Sequence, residues 1–409
     1  MPSGRGALVF AAGLGLWVAA RVAGSPTLHI LAVGVAVLPL VAALFARRNR
    51  QRLHVRRRLS DHRIAPGRRL TVDLEIENDA PASTSFLLLE DRIPAALGRP
   101  ARLVLTGIAA KGKRHASYSL TAQARGRYSL GPLTVDISDP FALTRIRVEF
   151  DRREDLVVTP EVEELEAQPS SPFGSTSGLS LAKHLFRTGD DFYTMRPYLE
   201  GDDLRRIHWA SVARTGQLMI RQDESSRRSV AAIFLDTRES AVGKAHSPSF
   251  ERCVSAAASM GVLLARHGFT LKLATSQTNP TPVTEDQLLD ALAGVGHDAS
   301  RALSAGLTRL RSVAAGDTTL VAVTAPPLPN ELTSLIRAGV VFGPKIAVLV
   351  YPIDPGTLPP DRQARVEGRA TAARLSLSRS GWEVLVVQPT GRLRDAWQQT
   401  RDRSRALSV

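Results

Sequence analysis

Two uncharged apolar stretches open the chain, and the rhythm of apolar and polar positions then changes twice. Residues 27–46 hold 20 positions without a formal charge, about the length a helix needs to cross a hydrocarbon core of roughly 30 Å. Residues 7–20 reach spanning length if the helix starts near Gly4 and Arg21 snorkels to the interface. With the turn Ala23-Gly24-Ser25-Pro26 between them, residues 1–46 predict a membrane helical hairpin. A cleaved signal peptide is the weaker reading, because no clean small-x-small site precedes the second stretch.

From residue 53 to 158 apolar and polar positions alternate in short runs. Residues 70–77 alternate cleanly and meet the turn signal Asn78-Asp79-Ala80-Pro81, and residues 85–91, 101–106, 114–123, 133–137 and 146–150 continue the theme. Strands at this spacing, with few helical stretches, predict an antiparallel β-sandwich. Residues 126–133 and 139–143 read as structured connections inside it. Residues 161–178, acids followed by Ser, Pro and Gly, read as a linker or mobile loop. From 229 to 409 apolar strands at 230–235, 270–275, 319–323, 345–351 and 382–387 alternate with helical stretches at 250–266, 286–293, 299–313, 331–338 and 361–378. Strands buried on both faces and separated by helices predict a parallel, doubly wound α/β sheet, on which ligands bind beyond the carboxyl ends of the strands. Asp236-Thr-Arg-Glu-Ser240 falls on that edge.

Charge changes the picture in one place. The chain carries a formal +14, and 47 of its 53 basic residues are Arg. Residues 47–69 contain ten Arg and one acid, a basic juxtamembrane collar of +9 that leaves only +5 for the rest. Seven Arg lie between Arg47 and Arg58 against one near the turn, so the positive-inside rule places the collar, and all that follows, in the cytoplasm of a multi-pass inner or plasma membrane protein. Contact with anionic lipid at roughly 1 kcal/mol per Arg accounts for most of the basic excess, and no nucleic acid is expected as a partner. A single cysteine, Cys253, rules out a disulfide framework and reads as helix core.

The most specified stretch lies between the sandwich and the α/β region, at residues 179–228. Its elements are Gly189, Asp191-Phe192, Arg196 and Tyr198, then Gly201-Asp202-Asp203-x-Arg205-Arg206-Ile207-x-Trp209, then Ala213-Arg214, and finally Arg221 and Glu224. This signature closely resembles that of the bacterial domain-of-unknown-function 58 family. Gly126-Arg-Tyr-Ser-Leu-Gly-Pro132, Asp139-Pro-Phe-Ala-Leu143 and the amino-terminal hairpin also look like that family. The resemblance implies a von Willebrand factor A-like fold beyond the signature. It also implies a membrane-attached adaptor or scaffold without catalytic residues or cofactors. The implied partners are a MoxR-type AAA+ ATPase and a membrane transglutaminase-like protein.

Departures from the pattern limit what carries over. An intact A-type metal site needs Asp-x-Ser-x-Ser after the first strand, a Thr, and a further Asp, because hard Mg²⁺ takes an octahedron of oxygens. Asp236 and Ser240 stand in place, but Arg238 replaces the middle Ser, and Thr324-Ala-Pro-Pro follows the later strand without an acid. No metal is expected, and Arg238 is expected to pair with Asp236 or Glu239. His208 stands before Trp209 where the family has an acid. Residues 186–228 hold eight Arg against seven acids, which favours a paired network over a phosphate site. Two readings stay open: an irregular loop glued by Arg forks under Phe192, Tyr198 and Trp209, or a partner surface built from hot-spot residue types. The alternative function is a divalent-metal hydrolase using Asp190, Asp191, Asp202 and Asp203, against which the neighbouring Arg weigh.

Overall fold

The computed structural model describes all residues except 1–2, 51, 82, 85, 139–140, 142, 166–192, 200–206, 224–228, 300–301 and 407–409. The chain divides into two compact units, Met1–Thr159 and Pro160–Val409.

The first unit begins with two helices, Gly4–Ala23 (α1) and Pro26–Arg50 (α2). Ser3 caps α1, its hydroxyl accepting from the Gly6 amide at 3.1 Å. Gly24 ends α1 at φ 62°, a conformation open to glycine, and its amide bonds the Ala20 carbonyl. The buried positions of α1 are Gly6, Gly13 and Ala20, seven residues apart. A Cβ on Gly13 would lie 2.7 Å from the Ala36 nitrogen, so the two helices meet backbone to backbone, as small-residue seams allow. Leu8, Phe10, Leu14, Ile30, Leu31 and Leu40 point outward and are exposed. Both helices are long and apolar enough to cross a membrane.

Among the described residues ten strands follow: Leu53–Leu59 (β1), Arg63–Ile64 (β2), Arg69–Asn78 (β3), Leu87–Asp91 (β4), Ala101–Leu105 (β5), Lys113–Thr121 (β6), Gly126–Leu130 (β7), Leu133–Ser138 (β8), Arg145–Phe150 (β9) and Glu154–Val158 (β10). They form sheets ordered β1-β3-β6, β2-β10-β7 and β5-β4-β8-β9. All pairs are antiparallel except β2 with β10. Alternation decides the faces: Leu70, Val72, Leu74 and Ile76 of β3 point into a core shared with Leu87, Leu89, Val135 and Ile137. Residues 126–133, predicted as a connection, contain the strand β7 and then the turn at Gly131-Pro132.

One residue of the predicted collar leaves it. Arg57 lies on the inward face of β1 and is 7% exposed, so it cannot serve a lipid surface. Its Nε and Nη2 donate to the two oxygens of buried Asp91 at 3.0 and 2.5 Å, and its Nη1 donates to the carbonyls of Leu130 and Arg152. The Tyr118 hydroxyl donates to the same carboxylate at 2.7 Å. Burial, then the Asp91 charge, pushes the Tyr118 phenol above its ordinary pKa, which keeps it a donor. Gly131 is required beside this fork, because at φ 108° a Cβ would sit 2.9 Å from Arg57 Nη1. Arg57→Met is expected to lower stability by about 3–5 kcal/mol by stranding the Asp91 charge. Arg57→Met/Asp91→Leu should recover most of that loss, read by thermal unfolding of the full chain in detergent.

The second unit opens with a strap. Residues 161–165, predicted as the start of the linker, are pinned: Leu165 enters the core and the Glu163 amide donates to Ser259 Oγ at 2.9 Å. The Glu163 carboxylate takes Arg252 at 2.5 Å and the amides of Leu393 and Arg394 at 3.1 and 2.9 Å. It thus caps the helix Leu393–Ala406 from outside. Residues 166–178 of that predicted linker lie outside the described residues. Tyr193–Pro197 (β11) pairs antiparallel with Met219–Asp223 (β12), with the helix Trp209–Thr215 (α3) between them.

The sheet of this unit comprises Val230–Leu235 (β13), Thr270–Thr275 (β14), Thr281–Val283 (β15), Thr318–Thr324 (β16), Lys345–Val350 (β17) and Glu383–Val387 (β18), in the order β15-β14-β13-β16-β17-β18. Its helices are Glu239–Val242 (α4), Pro248–Arg266 (α5), Glu285–Gly294 (α6), Leu303–Arg309 (α7), Pro329–Gly339 (α8), Pro360–Arg379 (α9) and Leu393–Ala406 (α10). Apolar cores cover both faces: Phe250, Val254, Ala257 and Met260 of α5 with Trp397 on one, and Leu307, Leu335, Leu377 and Trp382 on the other. The sheet is mixed, a correction to the parallel prediction, because β15 runs antiparallel to β14. Three residues including Pro282 show no readable alternation, and Pro is tolerated there because the strand is an edge. Glu163→Gln should lower stability by about 1.5–3 kcal/mol through the lost charge-assisted hydrogen bonds, measured by denaturant unfolding of the full chain, while Glu164→Gln, at an exposed position, should change little.

Candidate functional site

Three neighbouring strands bring side chains together at the carboxyl edge of the six-stranded sheet. β13 delivers Asp236, β14 delivers Ser276, and β16 ends at Thr324. The strand order reverses at β13 and β16, the crevice where doubly wound sheets carry their ligands. Asp236 is fully buried and accepts five hydrogen bonds. Oδ1 takes the Arg238 amide at 3.2 Å, Arg238 Nε at 2.9 Å and Ser276 Oγ at 3.1 Å. Oδ2 takes Arg238 Nη2 at 2.8 Å and Thr324 Oγ1 at 2.7 Å.

Arg238 is 2% exposed and donates from Nη1 to Glu331 at the start of α8. Glu331 also takes the Leu328 amide at 3.0 Å, so the pair is tied to the helix cap. Burial alone would pull the Arg238 guanidinium down. The hydrogen bonds and charges of Asp236, then of Glu331, outweigh burial and raise it above its ordinary value. Behind this pair Thr237 donates to buried Asp298 at 2.9 Å. Glu239, the other predicted partner of Arg238, instead lies 3.8 Å from Lys244, because α4 turns its side chain outward. Cys253 sits in α5 behind the site. Burial first, and then the Asp236 charge, pushes its thiol up against the opposing Arg252, leaving no thiolate for chemistry.

As a divalent cation site these residues do not fit. A hard cation needs several free oxygens, whereas both Asp236 oxygens are taken by donors and the Arg238 charge occupies the position. Ser240 is exposed and is not among the partners of Asp236. Among the described residues no group of three or more His, Cys, Asp or Glu is placed to hold a metal. In front of the pair lies a cavity of about 330 Å³ lined by Arg238, Ser240, Leu328, Glu331, Val366 and Arg369. Leu328 and the nearby Ile353 are 53% and 52% exposed at this edge.

The described residues of the signature form a strand pair with a short helix between. Arg196 and Arg221 lie on β11 and β12, in register with Ile220 and Met195, and Ile207 bridges to Ile220. The Tyr198 amide bonds the Leu218 carbonyl and the His208 amide bonds that of Met219. Tyr198 is half-buried, and Ala213 and Arg214 are exposed on α3. Trp209 is 68% exposed, and the charged residues among 202–206 that one of the two readings places beneath it lie outside the described residues. Trp209 opens a helix whose outer side it occupies. Gly189, Asp191, Phe192, Gly201, Asp202, Asp203, Arg205, Arg206 and Glu224 lie outside the described residues, as does Asp190.

Residues 194–384 match the family model described as protein of unknown function DUF58. The DUF58 match begins within β11 and ends in β18, taking in α3, Asp236, Arg238 and Ser240. It supports the family for that stretch. No curated protein matches the chain significantly. Among solved structures, a CARDB domain from Pyrococcus furiosus is 14% identical at TM-score 0.20, covering 26% of this chain and 91% of its own. The alkylpurine DNA glycosylase AlkC of Pseudomonas fluorescens, bound to abasic-site DNA, is 15% identical at TM-score 0.17, covering 31% and 39%. A chain of the human zinc 2-glycoprotein and prolactin inducible protein complex is 10% identical at TM-score 0.21, covering 25% and 92%. Scores this low carry no inference for the DUF58 segment.

Sequence reasoning missed Ser276, Thr237, Asp298 and Glu331. Ser276 lies 40 positions and Glu331 93 positions from their partners, and no local motif marks them. Ser276 was findable from the strand order, since it follows the strand beside β13. Arg238→Ala should destabilise the full chain by about 3–5 kcal/mol by leaving Asp236 buried without its cation. Arg238→Lys should recover only part of this, because an ammonium cannot replace a bidentate fork; thermal unfolding of both variants decides.

Proposed function

We propose that this protein is a non-catalytic, membrane-anchored adaptor or scaffold. In this reading its von Willebrand factor A-like α/β unit receives a MoxR-type AAA+ ATPase in a protein assembly or maturation system. The observation that carries the reading is the buried Arg238 fork on Asp236. The crevice where a metal or substrate would sit is occupied by an internal ion pair, while exposed Trp209, Leu328 and Ile353 remain available at the surface. Trp and Arg are the types that dominate binding hot spots. The von Willebrand factor A-like assignment is supported by the order β15-β14-β13-β16-β17-β18 with one antiparallel edge strand.

The helices α1 and α2 act as a multi-pass anchor in the inner or plasma membrane, with both units cytoplasmic. The reading is supported by helix length and apolarity and by the Arg-rich stretch after α2. A membrane transglutaminase-like protein is a further partner, and nucleic acid is not needed to explain the charge. The test uses the full chain in nanodiscs and the purified MoxR-type ATPase of the same host. Trp209→Ala, at an exposed position, should weaken binding roughly 30-fold, the equivalent of about 2 kcal/mol for a hot-spot truncation. Equal binding by wild type and variant, or no binding by wild type, sinks the reading.

A further inference from the structure

We propose that the end of the sandwich beside the helices is a second membrane contact. Phe86, Val104 and Phe141, flanked by Arg145, enter the interfacial layer of the bilayer that α1 and α2 cross. The inference rests on the reading of α1 and α2 as transmembrane helices.

The level of this surface follows from a pin at the start of α1. The Ser3 amide and the Ser3 hydroxyl both donate to the Leu143 carbonyl, each at 2.9 Å. A Cβ on Gly6 would lie 2.1 Å from that same oxygen, so the carbonyl is wedged against the first turn of the helix. α1 has 20 residues, a length of about 30 Å at 1.5 Å per residue, which matches the hydrocarbon thickness. Its first turn therefore lies at the boundary between acyl chains and headgroups, and the Leu143 segment is held there with it.

Large apolar side chains are exposed at this level. Phe141, two residues before Leu143, is 67% exposed, and Phe86 is 63% exposed. The Phe86 carbonyl accepts from the Ser138 amide at 3.4 Å, which places Phe86 at the end of β8 that leads into residues 139–143. Val104, 69% exposed, stands opposite Leu88 on the neighbouring strand. One step further along the same face the pair is Glu90 with Arg102, 3.4 Å apart, so the face turns polar away from this end. Exposed Arg145 begins β9 opposite Ser138. A cation beside apolar side chains suits an interface with anionic headgroups over acyl chains. In water such a patch would be an unfavourable exposure.

The test places an environment-sensitive nitrobenzoxadiazole label at single cysteines in the full chain with Cys253→Ala. The labelled positions are Phe141→Cys, Phe86→Cys and, as a reference on α2, Val37→Cys. The protein is held in nanodiscs of phosphatidylcholine and phosphatidylglycerol. With spin label placed high on the acyl chain, the labels at 141 and 86 should lose most of their fluorescence and be shielded from aqueous iodide. Iodide quenching at both positions without lipid quenching, while the Val37 label is quenched by a deep spin label, overturns the interfacial contact and leaves the anchor standing. A Val37 label untouched by lipid quenchers overturns the anchor, and this proposal with it.

Discussion

Arg238 carries a full charge into the α/β unit, and the surrounding geometry follows from the need to neutralise it. A buried guanidinium is tolerated only when its donors meet acceptors of opposite charge. Asp236 supplies both oxygens at 2.9 and 2.8 Å from one side, and Glu331 supplies the third contact from the start of α8. The pair thereby ties the end of β13 to the cap of a helix on the far side of β16. Ser276 and Thr324 complete the shell of Asp236, linking the ends of the two strands that flank β13. A position that could hold an exchangeable cation holds a covalently tethered one instead. That exchange leaves both Asp236 oxygens committed to donors from within the unit.

The same solution appears in the sandwich, where Arg57 reaches Asp91 and the carbonyls of Leu130 and Arg152. In a chain with 47 Arg, these two are set apart by what faces them, not by sequence neighbourhood. Arg56 and Arg58 flank Arg57 yet point to solvent, since a strand sends alternate side chains to opposite faces. The planar fork matters in both places: it satisfies a carboxylate with two parallel donors and still has one left for a third acceptor. Each fork joins segments far apart in the chain, so each acts as a long-range tie within its own unit.

The strap at 161–165 shows how composition can mislead. Acids before a Ser/Pro/Gly run read as a linker, but Glu163 finds two amides at a helix start and an arginine. The partners lie 89, 230 and 231 positions away. Helix amides without intrahelical partners attract a carboxylate from wherever the fold brings one.

Periodicity by itself determined the two apolar helices, the alternating strands of residues 53–158 and the strand and helix succession after residue 229. These are local properties, set by the 3.6- and 2-residue repeats with which side chains meet a core. The resemblance to DUF58 was likewise legible, as a string of residues that runs into the stretch 194–384 matching the family model. The identity of Arg238 alone argued against a metal, since an arginine cannot ligate a cation. Tertiary structure decided which carboxylates it meets: Glu331 and not Glu239 completes the fork, because α4 turns Glu239 outward while α8 begins beside the crevice. It also decided that Arg57 is internal, that Trp209 is exposed, and that three residues around Pro282 form an edge strand. The forks of Arg238 and Arg57 depend on residues brought together from positions 93 and 34 apart, which no short window of sequence contains.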